Sequence, residues 1–318
     1  MILYVVRRLG QAVIVAWLVS LIVFVLTRLL PGGAAKAILG KEATPLQIAH
    51  FNQQMGYDRP IPVQYAAWLA DVVRGDLGYS YKMNLPVSTA IAQALPKTVL
   101  LIGIATVVAL AVAIPLGSLQ ALRKDGPADR VAGGLSFLVY STPTFVIGLA
   151  LIMLFSVWMR ILPASAPSGN SVASILSDPQ GLILPVITLA AGSIAMFTRY
   201  MRSSMLETLT ADYIVTARAK GLTRFQMIAR HALPNSLTSI VTLIGLSVPG
   251  LLAGAVIVEQ VFNYPGMGLL FWTEAQYNDY PTELAIVLLV SIATVLGNLL
   301  ADLGYMLLDP RVRLDRAQ

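Results

Sequence analysis

Six apolar stretches, residues 9–30, 98–119, 131–158, 182–198, 237–258 and 284–308, set the terms on which this chain can fold. At about 1.5 Å per residue, a helix the length of the first covers roughly 33 Å, enough for a hydrocarbon core of about 30 Å. Hydrophobic residues make up 57% of the chain and charged residues 12%, against about 45–50% and about 25% in soluble domains. Inside lipid the backbone must satisfy its own polar groups, so each stretch is expected to be helical. The 182–198 run is short and extends toward Arg202. The 131–158 run is long and interrupted by Pro143, so its ends are soft. The expected fold is all-α, a polytopic membrane bundle of six transmembrane helices forming a single domain over 1–318.

Orientation follows from Lys and Arg. With the N-terminus inside, the cytoplasmic segments hold Arg7 and Arg8; Arg123, Lys124 and Arg130; Arg199, Arg202, Arg218, Lys220, Arg224 and Arg230; and Arg311, Arg313 and Arg316. The two short outer loops contribute only Arg160. Segment 31–97 exceeds the roughly 60-residue length over which the charge rule is reliable. Both termini are therefore expected in the cytoplasm. The net charge of +6 reflects this topology, and no nucleic-acid partner is expected. The first helix, longer than a signal-peptide core, is expected to be retained. The chain has no cysteine, which excludes disulfides and thiolate chemistry.

Segment 31–97 reads as an organised extracytoplasmic helical loop. Thr44-Pro45-Leu46-Gln47 combines a capping box with proline at the first helical position, and Gly56 supplies a stop. A second helix is expected from Pro62 to Arg74, ending at Gly75. A third begins at Asn84 or Pro86, with Val87, Ala90, Ile91, Ala94 and Leu95 on one side. Such amphipathic helices can lie in the lipid interface or cover the bundle, as packing, a lid or a receptor platform. In another outer loop, 259–283, Pro265-Gly266 suits the central positions of a type II turn. Phe271, Trp272, Tyr277 and Tyr280 form an expected interfacial aromatic cluster.

The cytoplasmic loop 203–235 carries a basic island, ADYIVTARAKGLTRFQMIARHALP, over 211–234. Its layout predicts two short helices joined at Gly221. The first, Asp212 to Lys220, ends where glycine can adopt the left-handed conformation. The second starts with the capping box Thr223-Arg-Phe-Gln226 and stops at Pro234. Phe225, Ile228, Ala229 and Ala232 give it one apolar face. A structured basic helix pair facing the cytoplasm suits docking to another protein; the plainer alternative is a solvated basic turn.

The island resembles the cytoplasmic signature of bacterial ABC-importer permeases, roughly Glu-Ala-Ala, three residues, Gly, nine residues, Ile-x-Leu-Pro. Gly221 and Leu233-Pro234 match in spacing, and Ala217 matches the second alanine. Val215 and Thr216 replace the Glu and first Ala, and His231 replaces the Ile, departures that the peptide branch of the family tends to show. Further matches run through the chain in order: Tyr4-Val-Val-Arg-Arg-Leu9, Gly56-Tyr-Asp-Arg-Pro60, Gly75-Asp-Leu-Gly78, Leu95-Pro-Lys-Thr98, Asp212-Tyr213, Thr216-Ala-Arg-Ala-Lys-Gly221, Val261-Phe262, Pro265-Gly266, Asn298-Leu-Leu-Ala-Asp302 and Asp309-Pro-Arg311. The chain is similar to dipeptide/oligopeptide/nickel-type permeases with a long first outer loop.

The resemblance implies two ATP-binding subunits, a second homologous permease (a heterodimer), an extracytoplasmic substrate-binding protein and a bacterial cytoplasmic (inner) membrane location. No Gly-x-x-x-x-Gly-Lys-Ser/Thr occurs in the chain, so ATP and Mg are expected in the partner ATPase and no cofactor in this chain. The resemblance would seat Thr216, Ala217, Arg218, Ala219, Lys220, Gly221, Leu222, Leu233 and Pro234 in a cleft of the ATPase. Small residues at Ala217, Ala219 and Gly221 would let its backbone approach.

Alternating access also needs helices that bend and a passage that tolerates polar solute. Pro115, Pro143 and Pro249 are expected to interrupt three spans. Ser141, Thr142 and Thr144 flank Pro143, and Ser247 and Gly250 flank Pro249. Ser291, Thr294, Asn298 and Asp302 form one stripe on the last helix, for hydrogen bonding between helices or lining the solute passage. Gly250-x-x-x-Gly254 permits close helix packing. The expected function is a non-enzymatic permease subunit of an ATP-driven ABC importer for di- or oligopeptides. A nickel-chelate or glutathione importer permease and an ion-coupled secondary transporter are the alternatives. The last would call for intramembrane carboxylates or histidines, of which only Asp302 qualifies. A membrane hydrolase lacks its motifs here, with no His-Glu-x-x-His and no Gly-x-Ser-x-Gly.

Overall fold

In the computed structural model, residues 2–29, 35, 39–40 and 42–308 are described, the side chains of 2–9, 12 and 300–308 excepted. The side chains of Arg7, Arg8 and Asp302, together with all of 309–318, lie outside the described part. Helices dominate, as an apolar chain in lipid requires. In chain order they are α1 (Ile2–Leu29), α2 (Pro45–Met55), α3 (Ile61–Val73), α4 (Val87–Leu122), α5 (Pro127–Ser141), α6 (Thr144–Leu151), α7 (Val172–Leu176), α8 (Pro179–Thr210), α9 (Asp212–Ala219), α10 (Arg224–Met227), α11 (Leu233–Val261), α12 (Met267–Tyr277) and α13 (Tyr280–Leu308). Two π-helical segments, Ile152–Trp158 and Ile228–Ala232, continue α6 and α10. A two-residue antiparallel ladder pairs β1 (Tyr79–Ser80) with β2 (Leu85–Pro86).

Among the described residues, four runs are long and apolar enough to cross a membrane: α4, α8, Arg224–Val261, and α13 over Tyr280–Leu299. The apolar part of α1 is Val13–Leu29. The third expected crossing is not one straight helix. Its halves, Pro127–Ser141 and Thr144–Trp158, meet at 106°. Pro143 has no N–H to give the ladder, and Thr142 before it is extended at φ −88°, ψ 128°, as the proline ring demands. Pro249, by contrast, lies inside unbroken α11, and Pro115 inside unbroken α4; neither interrupts its span as expected. The short 182–198 run grew at both ends, to Pro179–Thr210.

The outer-loop helices start and stop where local chemistry dictates. Thr44 makes the full capping box with Gln47, and Gly56 closes α2 at φ 67°. α3 ends at Val73, with Gly75 left-handed at φ 88°. The expected third loop helix is no separate element, because it begins at Val87 and runs on as α4 to Leu122. Its apolar face is real: Val87, Ile91 and Ala94 are buried with Met267, Ala285 and Ile286, while Leu95 is exposed. Pro265-Gly266 is not the centre of a type II turn, which needs a positive φ at its second central residue. Gly266 has φ −102° and precedes α12; the left-handed residues of this loop are Asn263, at φ 50°, and Asn278, at φ 55°. Tyr280 is buried rather than interfacial, whereas Trp272 and Tyr277 are exposed.

The chain divides into two compact units. The first comprises Met1–Thr98, Gly169–Val172 and Pro265–Leu296. In it Phe24, Tyr65 and Leu284 form a buried cluster with Trp68, and the Tyr65 hydroxyl lies 2.9 Å from Ser20 Oγ. Ser80 Oγ donates to Asp279, and Met267 N donates to Thr98 Oγ1 at 2.7 Å.

The second unit comprises Val99–Ser168, Ala173–Tyr264 and Gly297–Gln318. Its centre is α8, which packs against α5, α6 and α11. Two-thirds of its apolar window is buried, 67% against 22% for α4. On α4, Leu101, Ala105, Ala109 and Ala113 recur every fourth residue and are fully buried. Gly117 continues that stripe, where a Cβ would sit 2.7 Å from both Met201 Cβ and Thr198 O. Backbones can meet this closely only without a side chain between them. Arg202 grips Asp129 through two parallel bonds of 2.8 and 2.7 Å, the fork geometry that guanidinium and carboxylate favour.

Candidate coupling site and solute passage

The basic island folds into a helix–turn–helix knob. α9 ends at Ala219, and Gly221 turns the chain at φ 82°. Thr223 Oγ1 accepts from Gln226 N at 3.3 Å, while Gln226 Oε1 accepts from Thr223 N at 3.1 Å. This reciprocal box satisfies orphan donors at the start of α10. The knob is anchored from beneath by buried Ile214, Met227 and Ala232, packed with Met201, Met205 and Ile240. Arg224 reaches back to the Leu122 carbonyl at 3.4 Å.

Two sequence expectations fail here, for one reason. The second helix does not stop at Pro234; helical backbone runs from Arg224 to Val261 as one element. The π segment Ile228–Ala232 widens the turn just before the proline, so that Leu233 N bonds to Ile228 O, five residues back. A widened turn gives room for a ring that would otherwise strike the carbonyl four residues earlier. It also rotates the register, so the i, i+3, i+4, i+7 face is lost. Ala232 is fully buried, whereas Phe225 is 79% exposed.

Around the turn, Thr216, Arg218, Ala219, Lys220, Gly221 and Pro234 are exposed, and Leu222 and Leu233 are half-buried. Thr216 Oγ1 donates to Asp212 O at 3.1 Å. Ala217 is buried, so it packs inward and offers no surface to a partner, contrary to expectation. A cavity of about 460 Å³, lined by Ala121, Leu122, Leu209, Arg218, Leu222, Arg224 and Met227, lies beside the turn. Phe225 is the residue that sequence reasoning misassigned. A phenylalanine between Arg224 and Gln226, two residues past the Thr223 cap, is the available signal.

The expected passage residues remain separate features of three elements. Ser141 and Pro143 are exposed at the α5–α6 bend and Thr142 is half-buried. Ser247 is buried, Pro249 half-buried and Gly250 exposed. Ser291, Thr294 and Asn298 are half-buried along α13. Thr142, Ser247 and Ser291 donate to the Leu138, Ile244 and Val287 carbonyls of their own helices at 2.7 Å each. Of the Gly250/Gly254 pair only Gly254 is crowded, a Cβ there meeting Leu189 Cδ1 at 3.2 Å.

Apolar helices of spanning length, a proline-bent pair and a projecting basic knob define a multi-pass helical membrane protein. The chain belongs to the family described as binding-protein-dependent transport system inner membrane components: that model matches residues 113–314, and the corresponding N-terminal model matches residues 1–102. It is thus a membrane permease subunit of the ABC-importer class. It is 39% identical over 317 residues to the probable peptide ABC transporter permease protein y4tP of Sinorhizobium fredii, covering 98% of this chain and 99% of that one. It is 36% identical over 311 residues to the oligopeptide transport system permease protein AppB of Bacillus subtilis, covering 97% and 98%. With the dipeptide transport system permease protein DppB of Escherichia coli it shares 36% over 336 residues, covering 98% and 99%.

Proposed function

We propose that this permease moves di- or oligopeptides inward across the cytoplasmic membrane, driven by ATP hydrolysis in separate chains. Relatives named for peptide, oligopeptide and dipeptide transport, matched over nearly their whole length, support the substrate class. Under this reading a second permease pairs with this one as a heterodimer. Two ATP-binding subunits dock from the cytoplasm and hold ATP and Mg, and a substrate-binding protein docks outside. Both termini and the 203–235 loop face the cytoplasm, and 31–97 faces out.

The observation that carries the ATP-driven reading is the knob. A phenylalanine left 79% exposed just past a capped helix start and three exposed cations, Arg218, Lys220 and Arg224, suits a partner with an apolar cleft and acidic rim. Thr216 to Leu222, Leu233 and Pro234 frame that contact, with Ala217 supporting it from inside. Ser141 to Pro143, Ser247, Pro249, Gly250, Ser291, Thr294, Asn298 and Asp302 serve the moving bundle.

Purifying the tagged chain in mild detergent and identifying co-purifying subunits by mass spectrometry tests the assembly. Phe225→Ser is expected to leave the permease in the membrane while lowering recovery of the ATP-binding subunit about tenfold, as loss of a central aromatic anchor does. Unchanged recovery would remove the knob from the ATPase contact.

A further inference from the structure

The first unit holds a cavity of about 220 Å³ that the transport reading does not use. Its wall comes from the 55–59 turn that ends α2, from α3, the 77–81 segment, the end of α1 and the start of α13. Gln64, on α3, is 9% exposed. Its Nε2 donates to the Tyr57 carbonyl at 3.0 Å and to the Arg59 carbonyl at 2.7 Å. Both partners are acceptors, so the nitrogen must face them and the amide orientation is fixed. Gln64 Oε1 is therefore turned the other way, buried and with no hydrogen-bond partner among the described residues.

Two donors in the same wall are in the same condition: Trp68 Nε1 and Arg28 Nε are buried and unpaired among the described residues. The Arg28 guanidinium lies 4.1 Å from the Tyr57 ring centre and 5.0 Å from that of Phe24. Aromatic faces hold its charge in position without neutralising it. Arg59 adds a second cation at the exposed rim. The acidic residue of the wall, Asp71, is already engaged by Arg74 at 3.4 Å. Tyr79, Tyr81 and Tyr280 supply the remaining aromatic surface.

A buried acceptor beside two buried donors, one of them charged, asks for a ligand with an anionic oxygen group and an adjacent N–H. We propose that this cavity binds the C-terminal end of a peptide. The carboxylate meets Arg28 and Trp68, the preceding amide N–H meets Gln64 Oε1, and the terminal side chain lies on the tyrosines. A phospholipid headgroup shares part of this chemistry. The wall, however, is built mostly from the loop segment 55–81 rather than from spanning faces, and its volume suits one or two residues. The inference rests on the outward placement of 31–97 proposed above, but its binding test needs neither ATP nor partner subunits.

The full chain in phosphatidylcholine nanodiscs is titrated with alanylalanine and with alanylalaninamide, followed by tryptophan fluorescence and calorimetry. Saturable binding of alanylalanine is expected, with the amide at least about tenfold weaker. Gln64→Leu and Arg28→Gln should each weaken alanylalanine about tenfold. Arg59→Gln, a surface change that leaves the packing intact, should weaken it by a smaller factor. No saturable binding, equal binding of the amide, or unchanged affinity in both Gln64→Leu and Arg59→Gln overturns the proposal. So does phosphatidylethanolamine that co-purifies with the native chain and is lost in Arg28→Gln while alanylalanine fails to bind. Failure of ATP-driven uptake with dipeptide binding intact would instead count against the transport reading alone.

Discussion

Gly221 and Gly117 show two different reasons for the absence of a side chain. At Gly117 a Cβ would collide with the facing helix at 2.7 Å. At Gly221 a Cβ would meet nothing within 4 Å, and the constraint is the backbone, at φ 82°. Gly221→Val should therefore insert normally but strain the turn by about 1–3 kcal/mol, with wild-type membrane levels and ATP turnover that no longer rises with substrate-loaded binding protein. Gly221→Asn separates the two demands on the residue, because asparagine tolerates the left-handed region while adding bulk. If both variants couple normally, the turn has no part in transmission.

At the scale of elements, α12 and the chain after it carry a buried acidic pair. Glu274 is 3% exposed, and its carboxyl is pushed up to about 7, first by burial and then by the charge and hydrogen bond of Asp279. Lys82 opposes the shift and Glu283 adds to it; Lys82 Nζ itself lies 3.6 Å from the Tyr277 ring centre. A carboxyl raised above its unfolded value of about 4.3 favours the folded state most below that value and loses its contribution as pH rises through about 7. Thermal unfolding of the purified chain should thus shift to lower temperature between pH 5 and 8, and Glu274→Gln should flatten that slope. An unchanged slope in the variant would assign it to other groups.

How much of each element the sequence discloses depends on how local its cause is. Thr44 and Thr223 are legible because a cap is settled within four residues. Gly56, Gly75 and Gly221 are legible because the left-handed region favours glycine. The bend at Pro143 was readable, yet Pro115 and Pro249 carry the same signal and leave their helices intact, since surrounding packing decides whether a lost hydrogen bond breaks a helix. The π segment before Pro234 answers to no periodicity, and with it went the expected stop and the expected face of Phe225. Of the candidate site, the turn and its charges were legible; the burial of Ala217, a matter of tertiary packing, was not.

For the whole molecule the governing question is which side each loop occupies. Gln53, Lys82 and Gln226 are all exposed in the fold, so single cysteines there, in a chain that otherwise has none, report the membrane alone. Cysteines at Gln53 and Lys82 should react with an impermeant maleimide added to intact cells, and one at Gln226 only after permeabilisation. The opposite pattern would invert the proposed orientation.

The unbroken helical run from Arg224 to Val261 has a mechanical meaning. Its 38 residues extend about 57 Å at about 1.5 Å each, with the knob at one end and helical backbone throughout, even past Pro234 and Pro249. A rotation of about 5° at the knob therefore sweeps the far end through roughly 5 Å. Under the proposed docking of an ATP-binding subunit at the knob, the element would work as a lever, in which a small closing motion at the base becomes a displacement the width of a small side chain on the opposite side.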